Sequence, residues 1–400
     1  MSTSLLYHAY GINGVQYQST KFEKGSVTIH AEMTKQHSQC SCGCLHTHFK
    51  GQKRRIFKMM PFGGKKCYLD LLLHRLECSQ CARKWWPQLP FMKGKYRMVR
   101  SFIGYILDLL HISTIQDISR FLGVSWNVIK KIHKEKLGKL YRKIPLKELE
   151  YISVDEFSIR KGHEYMTVFT DLQSGRIIHA VEGRTVEVVA PFLKKLAKQA
   201  PKLKAIAMDM SRSYYPAAQE FLPNVDVVFD HFHVTALMNK ALDEIRKEQQ
   251  SQMNVSDAKI MKGSRFLFLK NYEDLGTENQ ARLEALLALN EPLFKAYLLK
   301  EQFRHFWEKN SVEEAEKFFI YWSLDALSTG LKPLKKLVKT LNRYRQGLLN
   351  YFKHRITNAS AEGINNKIKT MKRQAYGFRD MEYFKLRLYH LHESRYAFVG

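Results

Sequence analysis

The chain has 400 residues, 45% of them hydrophobic, and a formal net charge of +27 at pH 7. This composition excludes an intrinsically disordered protein, and the excess of Lys and Arg favours a polyanionic partner, nucleic acid before an anionic membrane. We find no run of 18 apolar residues and no basic amphipathic helix of the membrane-lying type, so we expect no membrane association. The first residues do not have the pattern of a signal peptide, so we expect a cytoplasmic protein with reduced cysteines.

All six cysteines fall between Cys40 and Cys81, which in a reducing compartment favours a metal site over disulfides. One half of the site is the C-x-x-C pair Cys78 and Cys81. The other half is irregular, because Cys40, Cys42 and Cys44 alternate with single residues. Two of these three would complete a structural Cys₄ zinc site. The alternative is a set of ordinary buried cysteines.

The segment between the two cysteine groups predicts a small β ribbon, because residues 53–60 and 65–78 alternate apolar and polar side chains. Cys67 lies inside the second run and is interpreted as a buried bystander. His46 and His48 are possible substitute zinc ligands. We assign residues 1–95 to a zinc-binding module.

Residues 96–147 predict a helix-turn-helix. Ser113 or Thr114 can cap one helix, Gly123 supplies a tight turn, and Ser125 can cap a second, basic helix. The second helix of such a motif enters the major groove of DNA, whereas a plain helical hairpin is the alternative. The candidate DNA contacts on it are Ser125, Asn127, Lys130, Lys131 and His133.

Residues 148–235 predict an α/β fold in the order strand, strand, strand, helix, strand, helix, strand. This is the order of the first part of a ribonuclease H-like core. Asp155 lies in the first strand run, YISVDEFSI, and Asp209 ends the fourth, LKAIAMDM. The first and fourth strands of such a sheet are neighbours, so we expect the two carboxylates side by side.

The remainder of the chain predicts helices. Residues 236–330 contain no strand candidate and are interpreted as a helical insertion, and residues 331–400 as the C-terminal helical part of the core. Between Leu331 and Arg373 there are twelve Lys or Arg residues and one acid, Glu362. A single carboxylate in such a basic segment indicates a specific role.

Asp155, Asp209 and Glu362 together predict two-metal phosphoryl transfer. Carboxylate oxygens bind Mg²⁺, and two ions about 3.5–4 Å apart can clamp the attacking and leaving oxygens of a phosphodiester. Each acid also has a structural alternative, as a surface pair with Glu156, as a helix cap, or as a counterion to nearby lysines. Glu156 is the strongest competitor for the role of Asp155.

Further polar residues accompany these acids. The candidates for active-site support are Asp230, His231, His233 and Arg212. The candidates for contact with the DNA backbone follow Glu362 on its helix and are Asn365, Lys369, Lys372 and Arg373.

Four motifs in this order resemble one known family. They are SVDEFSIRKGHEY, MDMSRSYYPAA, FDHFHV and TNASAEGINNKIKTMKRQAYGFRD. They look like the DDE transposases of bacterial insertion sequences, in particular the IS-L-three family, over the span from Cys40 to His392. The resemblance implies a zinc finger, a helix-turn-helix and a ribonuclease H-like catalytic core. It places the family's three acids at Asp155, Asp209 and Glu362. The family usually has a regular C-x-x-C where this chain has C-x-C-x-C.

The resemblance also implies the activity and its partners. We expect a nucleoid-associated enzyme that binds terminal inverted repeats and target sites in double-stranded DNA, as a homodimer or higher oligomer. Two Mg²⁺ or Mn²⁺ ions would support strand cleavage and strand transfer, and one zinc would be structural. The alternatives are a ribonuclease H-like DNA nuclease without strand transfer and a catalytically silent DNA-binding regulator. The presence of all three acids argues against the regulator.

Overall fold

The structure is a computed structural model that describes residues 4–23, 25–34, 40–92, 94–160, 164–210, 214–357 and 359–393, with the backbone alone at 359–362. Its contacts divide the chain into two compact units. The first runs to Arg142 and includes residues 374–377, and the second comprises Lys143–Arg373 and Phe378–His392. No helix among the described residues combines the length and the apolar character that crossing a membrane requires.

The first unit contains one mixed five-stranded sheet. Its strands are β1 (Val15–Glu23), β2 (Ser26–Met33), β3 (Thr47–Phe62), β4 (Lys65–Cys78) and β5 (Lys84–Trp85). The order is β1-β2-β4-β3, β5 pairs with β4, and β2 runs parallel to β4. The predicted ribbon of β3 and β4 is confirmed. The sequence interpretation missed β1 and β2, although every second side chain of β2 is buried, the alternation typical of a strand with one covered face.

The helices of the first unit are α1 (Leu5–Tyr10), α2 (Arg100–Leu109), α3 (Ile115–Leu122) and α4 (Trp126–Leu140). The side chain of Thr114 caps α3 by accepting from the backbone N–H of Asp117. Gly123 follows α3 with φ of 59°, a left-handed conformation that a residue with a Cβ adopts at a cost. Lys58 of β3 donates from Nζ to the Gly123 carbonyl at 2.6 Å, so the sheet holds the turn between α3 and α4 in place.

The second unit is built on another five-stranded sheet, with order β10-β9-β6-β7-β8. Its strands are β6 (Tyr151–Arg160), β7 (Glu164–Asp171), β8 (Ile177–Glu182), β9 (Ala205–Met208) and β10 (Asp226–Phe229). Strands β6, β7 and β8 form an antiparallel meander, whereas β9 runs parallel to both β6 and β10. The five predicted strands are confirmed, and the first and fourth are neighbours as expected.

Helices complete the second unit. Two lie between the strands, α5 (Val186–Gln199) and α6 (Tyr214–Phe221). The segment interpreted as an insertion is helical throughout its described elements, which are α7 (His231–Gln252), α8 (Val255–Met261), α9 (Arg265–Leu269), a 3₁₀ turn (Tyr272–Asp274), α10 (Thr277–Ala288), α11 (Glu291–Arg304) and α12 (Val312–Ser328). The chain then forms α13 (Lys332–Arg343), α14 (Arg345–His354), α15 (Ala359–Gln374), α16 (Met381–Tyr389) and a 3₁₀ turn (Leu391–Glu393).

Helix α14 packs directly on the edge strand β10. Asn350 donates from Nδ2 to the Val227 carbonyl at 2.9 Å. A Cβ added at Gly347 would come within 2.2 Å of the Phe229 ring, so only glycine allows this approach. The contact fixes α14 against the sheet whose strands lead to Asp155 and Asp209.

Candidate metal centres

The pairing of β6 with β9 places Asp155 and Asp209 at the same level of the sheet. The last pair in this parallel ladder is Ser153 with Ala207. Two residues further along each chain stand Asp155 and Asp209. Neighbouring strands lie about 4.8 Å apart, and side chains that are level in a parallel pair point to the same face. The two aspartates therefore occupy adjacent positions level with the carboxyl end of β9.

Asp155 is partly buried and held by two amide donors. Its Oδ1 accepts from the backbone N–H of Glu156 at 2.7 Å, and its Oδ2 accepts from Asn365 Nδ2 at 2.7 Å. Burial raises the pKa of Asp155 above its ordinary value, against the opposing effect of both hydrogen bonds and of nearby His233. A cation bound beside this carboxylate would stabilise its charged form. Carboxylate oxygens are also the ligands that hard divalent ions prefer.

Glu156 lies on the opposite face of β6 and already has partners. The hydroxyl of Tyr214 donates to its Oε2 at 2.7 Å, and Arg184 Nη1 lies 3.3 Å from its Oε1. Successive residues of a strand alternate between faces, so Asp155 and Glu156 cannot both contact the same ligand. These contacts give Glu156 structural partners on the face of β6 opposite to Asp155.

Helix α15 runs along β6 and carries Glu362 near its first turn. Asn365 contacts Asp155, and Lys372, two turns later, donates from Nζ to the Ser158 carbonyl at 2.6 Å. These contacts define the stripe of α15 that faces β6. Glu362 precedes Asn365 by three residues, so its backbone position lies on the same stripe. The side chain of Glu362 lies outside the described residues.

The two predicted support residues at the start of α7 have structural contacts. Asp230 is 6% exposed, and its carboxylate accepts from the backbone N–H of Phe232, which caps the helix. The ring of His231 stacks on Phe232 with 4.5 Å between centroids. Arg212 falls outside the described residues. Asp230 therefore stabilises the helix that carries His233, and nothing in its contacts requires a role in chemistry.

Asp209 and His233 line a pocket of about 350 Å³ between α7 and α13. Two cations, Lys240 of α7 and Arg343 of α13, line the same pocket. The sequence interpretation named His233 and missed both cations, because they come from helices far apart in the chain and no local spacing marks them.

Some of the predicted DNA-contacting residues are exposed, and others contact the protein itself. Ser125, which precedes α4, and Asn127 and Lys131 on α4 are exposed, while Lys130 is half-buried with Nζ 5.5 Å from the Trp126 ring centre. On α15, Lys369 and Arg373 are exposed. Asn365 and Lys372 instead bind the strand β6, as described above.

The prediction of His133 as a DNA contact is wrong, because its side chain is only 4% exposed. It lies four residues after Ile129 and four before Leu137, which are both buried. This spacing puts all three on one face of the helix. The face packs inward, so the exposed face of α4 is the one that carries Asn127 and Lys131.

Four cysteine sulfurs in the first unit lie within 4.8 Å of one another, those of Cys40, Cys42, Cys78 and Cys81. The Sγ atoms of Cys40 and Cys81 are 3.5 Å apart, and those of Cys42 and Cys78 are 3.6 Å apart. Sulfurs held about 2.3 Å from a central zinc lie about 3.8 Å from one another, so the cluster has the dimensions of a tetrahedral site. Backbone N–H groups of Cys81 and Gln80 lower the pKa of Cys78 to about 6, which favours the thiolate that a metal requires.

Cys44 and His48, two of the other candidate ligands of this cluster, have different partners. Cys44 directs its thiol to the His46 carbonyl, with Sγ and O 3.6 Å apart. His48 forms a hydrogen bond with the Ser79 hydroxyl at 3.1 Å. Cys67 is buried next to the Tyr10 hydroxyl, in agreement with its interpretation as a bystander. Of the three cysteines in the first group, Cys40 and Cys42 thus belong to the cluster and Cys44 does not.

Comparisons with known proteins are consistent with this arrangement. A family model described as "Transposase", for the IS-L-three type of DDE transposase, matches residues 152–388, which include β6, β9 and α15. The "Transposase for insertion sequence element IS1001" of Bordetella parapertussis is 31% identical over 367 residues, covering 90% of this chain and 88% of that protein. The "Transposase for insertion sequence element IS1557" of Mycobacterium tuberculosis (strain ATCC 25618 / H37Rv) is 26% identical over 288 residues, covering 66% of this chain and 64% of that protein.

Proposed function

Because this chain belongs to the IS-L-three family of insertion-sequence DDE transposases, we propose that Asp155, Asp209 and Glu362 are its catalytic carboxylates. The observation that carries the proposal is the 2.7 Å hydrogen bond from Asn365 to Asp155. This bond holds the helix of Glu362 against the strand of Asp155, while the pairing of β6 with β9 brings Asp209 level with Asp155. In this proposal the three acids, far apart in sequence, act together at the end of the sheet where β9 finishes.

The strand order supports a ribonuclease H-like core with the helical insertion before the third acid. The antiparallel meander β6-β7-β8, extended by parallel β9 and β10 on the side of β6, follows the order expected for that fold. The active site of such a sheet lies where β6 and β9 are adjacent, and Asp155 and Asp209 occupy that position.

The three carboxylates would hold two Mg²⁺ or Mn²⁺ ions, which when bound lower the pKa of the attacking hydroxyl and neutralise charge on the phosphate. In the first reaction, water attacks a phosphodiester at the end of the element, and the strand leaves with a free 3′-hydroxyl. In the second, that hydroxyl attacks a target phosphodiester and releases a target 3′-hydroxyl. Asn365 keeps Asp155 oriented through both reactions, and the exposed cations Lys369 and Arg373 bind DNA phosphates.

The first unit would recognise the ends of the element. Cys40, Cys42, Cys78 and Cys81 fit one structural zinc. The exposed residues Ser125 before α4 and Asn127 and Lys131 on α4 suit contact with the major groove of a terminal inverted repeat. In this proposal α3, Gly123 and α4 form a DNA-binding helix-turn-helix. Two or more copies would assemble to hold both ends of the element and the target DNA.

The decisive experiment incubates purified protein and Mg²⁺ with labelled DNA that carries the ends of the element. We expect cleaved and joined products from the wild type. Asp155→Asn, Asp209→Asn and Glu362→Gln should each lower the cleavage rate by about 10³-fold or more, because a lost metal ligand removes several kcal/mol of transition-state stabilisation.

The matched control is Glu156→Gln, which changes the neighbouring carboxylate on the other face of β6 and should leave cleavage measurable. Full cleavage by the Asp209 or Glu362 variant would refute the triad. Cleavage without joined products would indicate a nuclease, and absence of cleavage by the wild type would indicate a DNA-binding regulator.

A further inference from the structure

Glu156, the acid next to Asp155 in the chain, is bound to the helix that follows Asp209. On β6 it stands directly opposite Thr167 of β7. Tyr214, the first residue of α6, reaches both side chains with its hydroxyl, which donates to Glu156 Oε2 at 2.7 Å and lies 2.9 Å from Thr167 Oγ1. One hydroxyl therefore joins the start of α6 to two neighbouring strands.

This contact is enclosed, and its partners have further contacts of their own. Thr167 is 0% and Tyr214 2% exposed. The Thr167 hydroxyl lies 2.7 Å from the Gly183 carbonyl, and Arg184 Nη1 lies 3.3 Å from Glu156 Oε1. Buried polar groups are costly to leave unpaired, so the side chains around the Tyr214 hydroxyl have one preferred arrangement.

Asp209 lies beyond the strand pairs that fix the rest of β9. The ladder with β6 ends at Ala207, and the ladder with β10 ends at Met208. The placement of Asp209 thus depends on the turn that leads into α6, whose first described residue is Tyr214. Burial raises the pKa of Tyr214, and the charges of Glu156 and Asp209 add to this rise. The hydroxyl therefore remains a donor and lies within electrostatic range of Asp209.

We propose that Tyr214, bound by Glu156 and Thr167, is a positioning residue that orients Asp209 towards the catalytic metal ions. Glu156 then supports the site from the opposite face of β6, through Tyr214 and not as a metal ligand. Loss of a contact that orients a ligand typically lowers metal affinity or activity by about 10–100-fold. The inference rests on the proposed function, because it takes Asp209 as a metal ligand.

The first test measures metal binding without cleavage. Full-length protein is titrated with Mn²⁺, and the free ion is followed by electron paramagnetic resonance. The binding that Asp209→Asn loses defines the ions held at the proposed site. Tyr214→Phe, which removes the hydroxyl and keeps the ring, should weaken that binding by about 10-fold or more. Tyr215→Phe should not, because the Tyr215 hydroxyl accepts from Gln219 Nε2 of the same helix at 2.9 Å.

The second test asks whether Tyr214 acts through Glu156. Glu156→Ala should weaken Mn²⁺ binding to a similar extent, whereas Glu156→Gln, whose amide oxygen can still accept from Tyr214, should weaken it less. Changes to the two partners of one contact are not additive. The double variant Tyr214→Phe/Glu156→Ala should therefore bind no more weakly than the weaker single variant. Effects that multiply, or equal losses in Glu156→Ala and Glu156→Gln, would overturn the proposal.

Cleavage of labelled DNA separates this inference from the proposed catalytic role. Tyr214→Phe should need about 10-fold more Mg²⁺ than the wild type for its half-maximal rate. If Asp209→Asn is inactive while Tyr214→Phe melts earlier but binds Mn²⁺ and responds to Mg²⁺ as the wild type does, the contact is purely structural and this inference alone fails. An Asp209→Asn protein that cleaves and binds Mn²⁺ like the wild type would instead refute the proposed triad.

Discussion

The two candidate metal centres of this molecule are built in different ways. The cysteine cluster draws on two short segments of one unit, and its four sulfurs already lie within 4.8 Å of one another. The carboxylate centre draws on two strands and a helix that are spread over about 200 residues of sequence. Asp155 is oriented by Asn365, and Asp209 borders an open pocket.

This difference matches the difference in expected tasks. A structural zinc site is closed by four protein ligands, whereas a catalytic site keeps positions for substrate and water. The cysteine cluster leaves no ligand position vacant once four thiolates bind one ion. The proposed catalytic centre would contribute three acids, which would leave the remaining positions around each ion for DNA oxygens and water. The comparison therefore predicts that loss of zinc unfolds the first unit, whereas loss of Mg²⁺ leaves the second unit folded but inactive.

The largest expected effect is on the cysteine cluster. Zinc binding to such sites provides about 10–16 kcal/mol of apparent free energy, which is also folding free energy. We expect about one zinc per wild-type chain, close to none in Cys78→Ser and Cys42→Ser, and an unchanged content in Cys44→Ser. Metal analysis together with circular dichroism measures both the content and the loss of the fold. A Cys78→Ser protein that retains its zinc and its helices would refute the assignment.

Acid should destabilise the second unit through His179 of β8, and this effect does not depend on metal binding. Its ring stacks on Phe192 with 4.0 Å between centroids, and burial next to Lys195 and Lys385 lowers its pKa to about 4. In the unfolded chain the His179 side chain takes up a proton near pH 6.5, whereas in the folded chain it stays neutral until the pH approaches 4. The stabilisation is therefore complete above pH 6.5 and is lost as the pH falls towards 4, by about 3 kcal/mol.

The matched variant is His179→Phe, which keeps the stacked ring and removes the titrating group. Unfolding curves of both proteins between pH 7 and pH 4 measure the difference in free energy of unfolding. We expect the variant to lose about 3 kcal/mol less than the wild type over this range. Parallel curves for the two proteins would show that His179 does not govern the acid response.

A smaller effect is expected where Asn365 orients Asp155. Outer-sphere partners of metal ligands typically change activity or metal affinity by about 10–100-fold when they are removed. Asn365→Ala should lower cleavage by that factor and raise the Mg²⁺ concentration needed for half-maximal activity. Asn366→Ala, on the exposed neighbouring position, should do neither. Equal behaviour of the two variants would mean that the hydrogen bond to Asp155 does not support the reaction.

Local sequence patterns were sufficient to predict most of the elements. The choice of Asp155, Asp209 and Glu362 as catalytic acids stays a prediction. Strand alternation and helix periodicity depend on near neighbours, so β6 to β10 and the helical insertion could be predicted. The burial of His133 could also have been inferred, because its spacing from Ile129 and Leu137 is that of one helix face.

Other features depend on contacts between distant segments and leave no local pattern. The choice of Cys40 and Cys42 over Cys44 follows from the turn that directs the Cys44 thiol to the His46 carbonyl. The different surroundings of Asp155 and Glu156 became clear only from the partners of Glu156, which come from α6 and the segment before α5. Lys240 of α7 and Arg343 of α13 line one pocket although no local spacing in the sequence connects them.

The most direct test of the central claim is a change of metal preference. Sulfur binds the hard ion Mg²⁺ poorly, and Mn²⁺ accepts it more readily. Asp155→Cys and Asp209→Cys should therefore lose cleavage in Mg²⁺ and regain a measurable part of it in Mn²⁺, whereas Asp155→Asn and Asp209→Asn should regain none. Cysteine variants that cleave equally well in both metals would contradict the claim that these two carboxylates hold the catalytic ions.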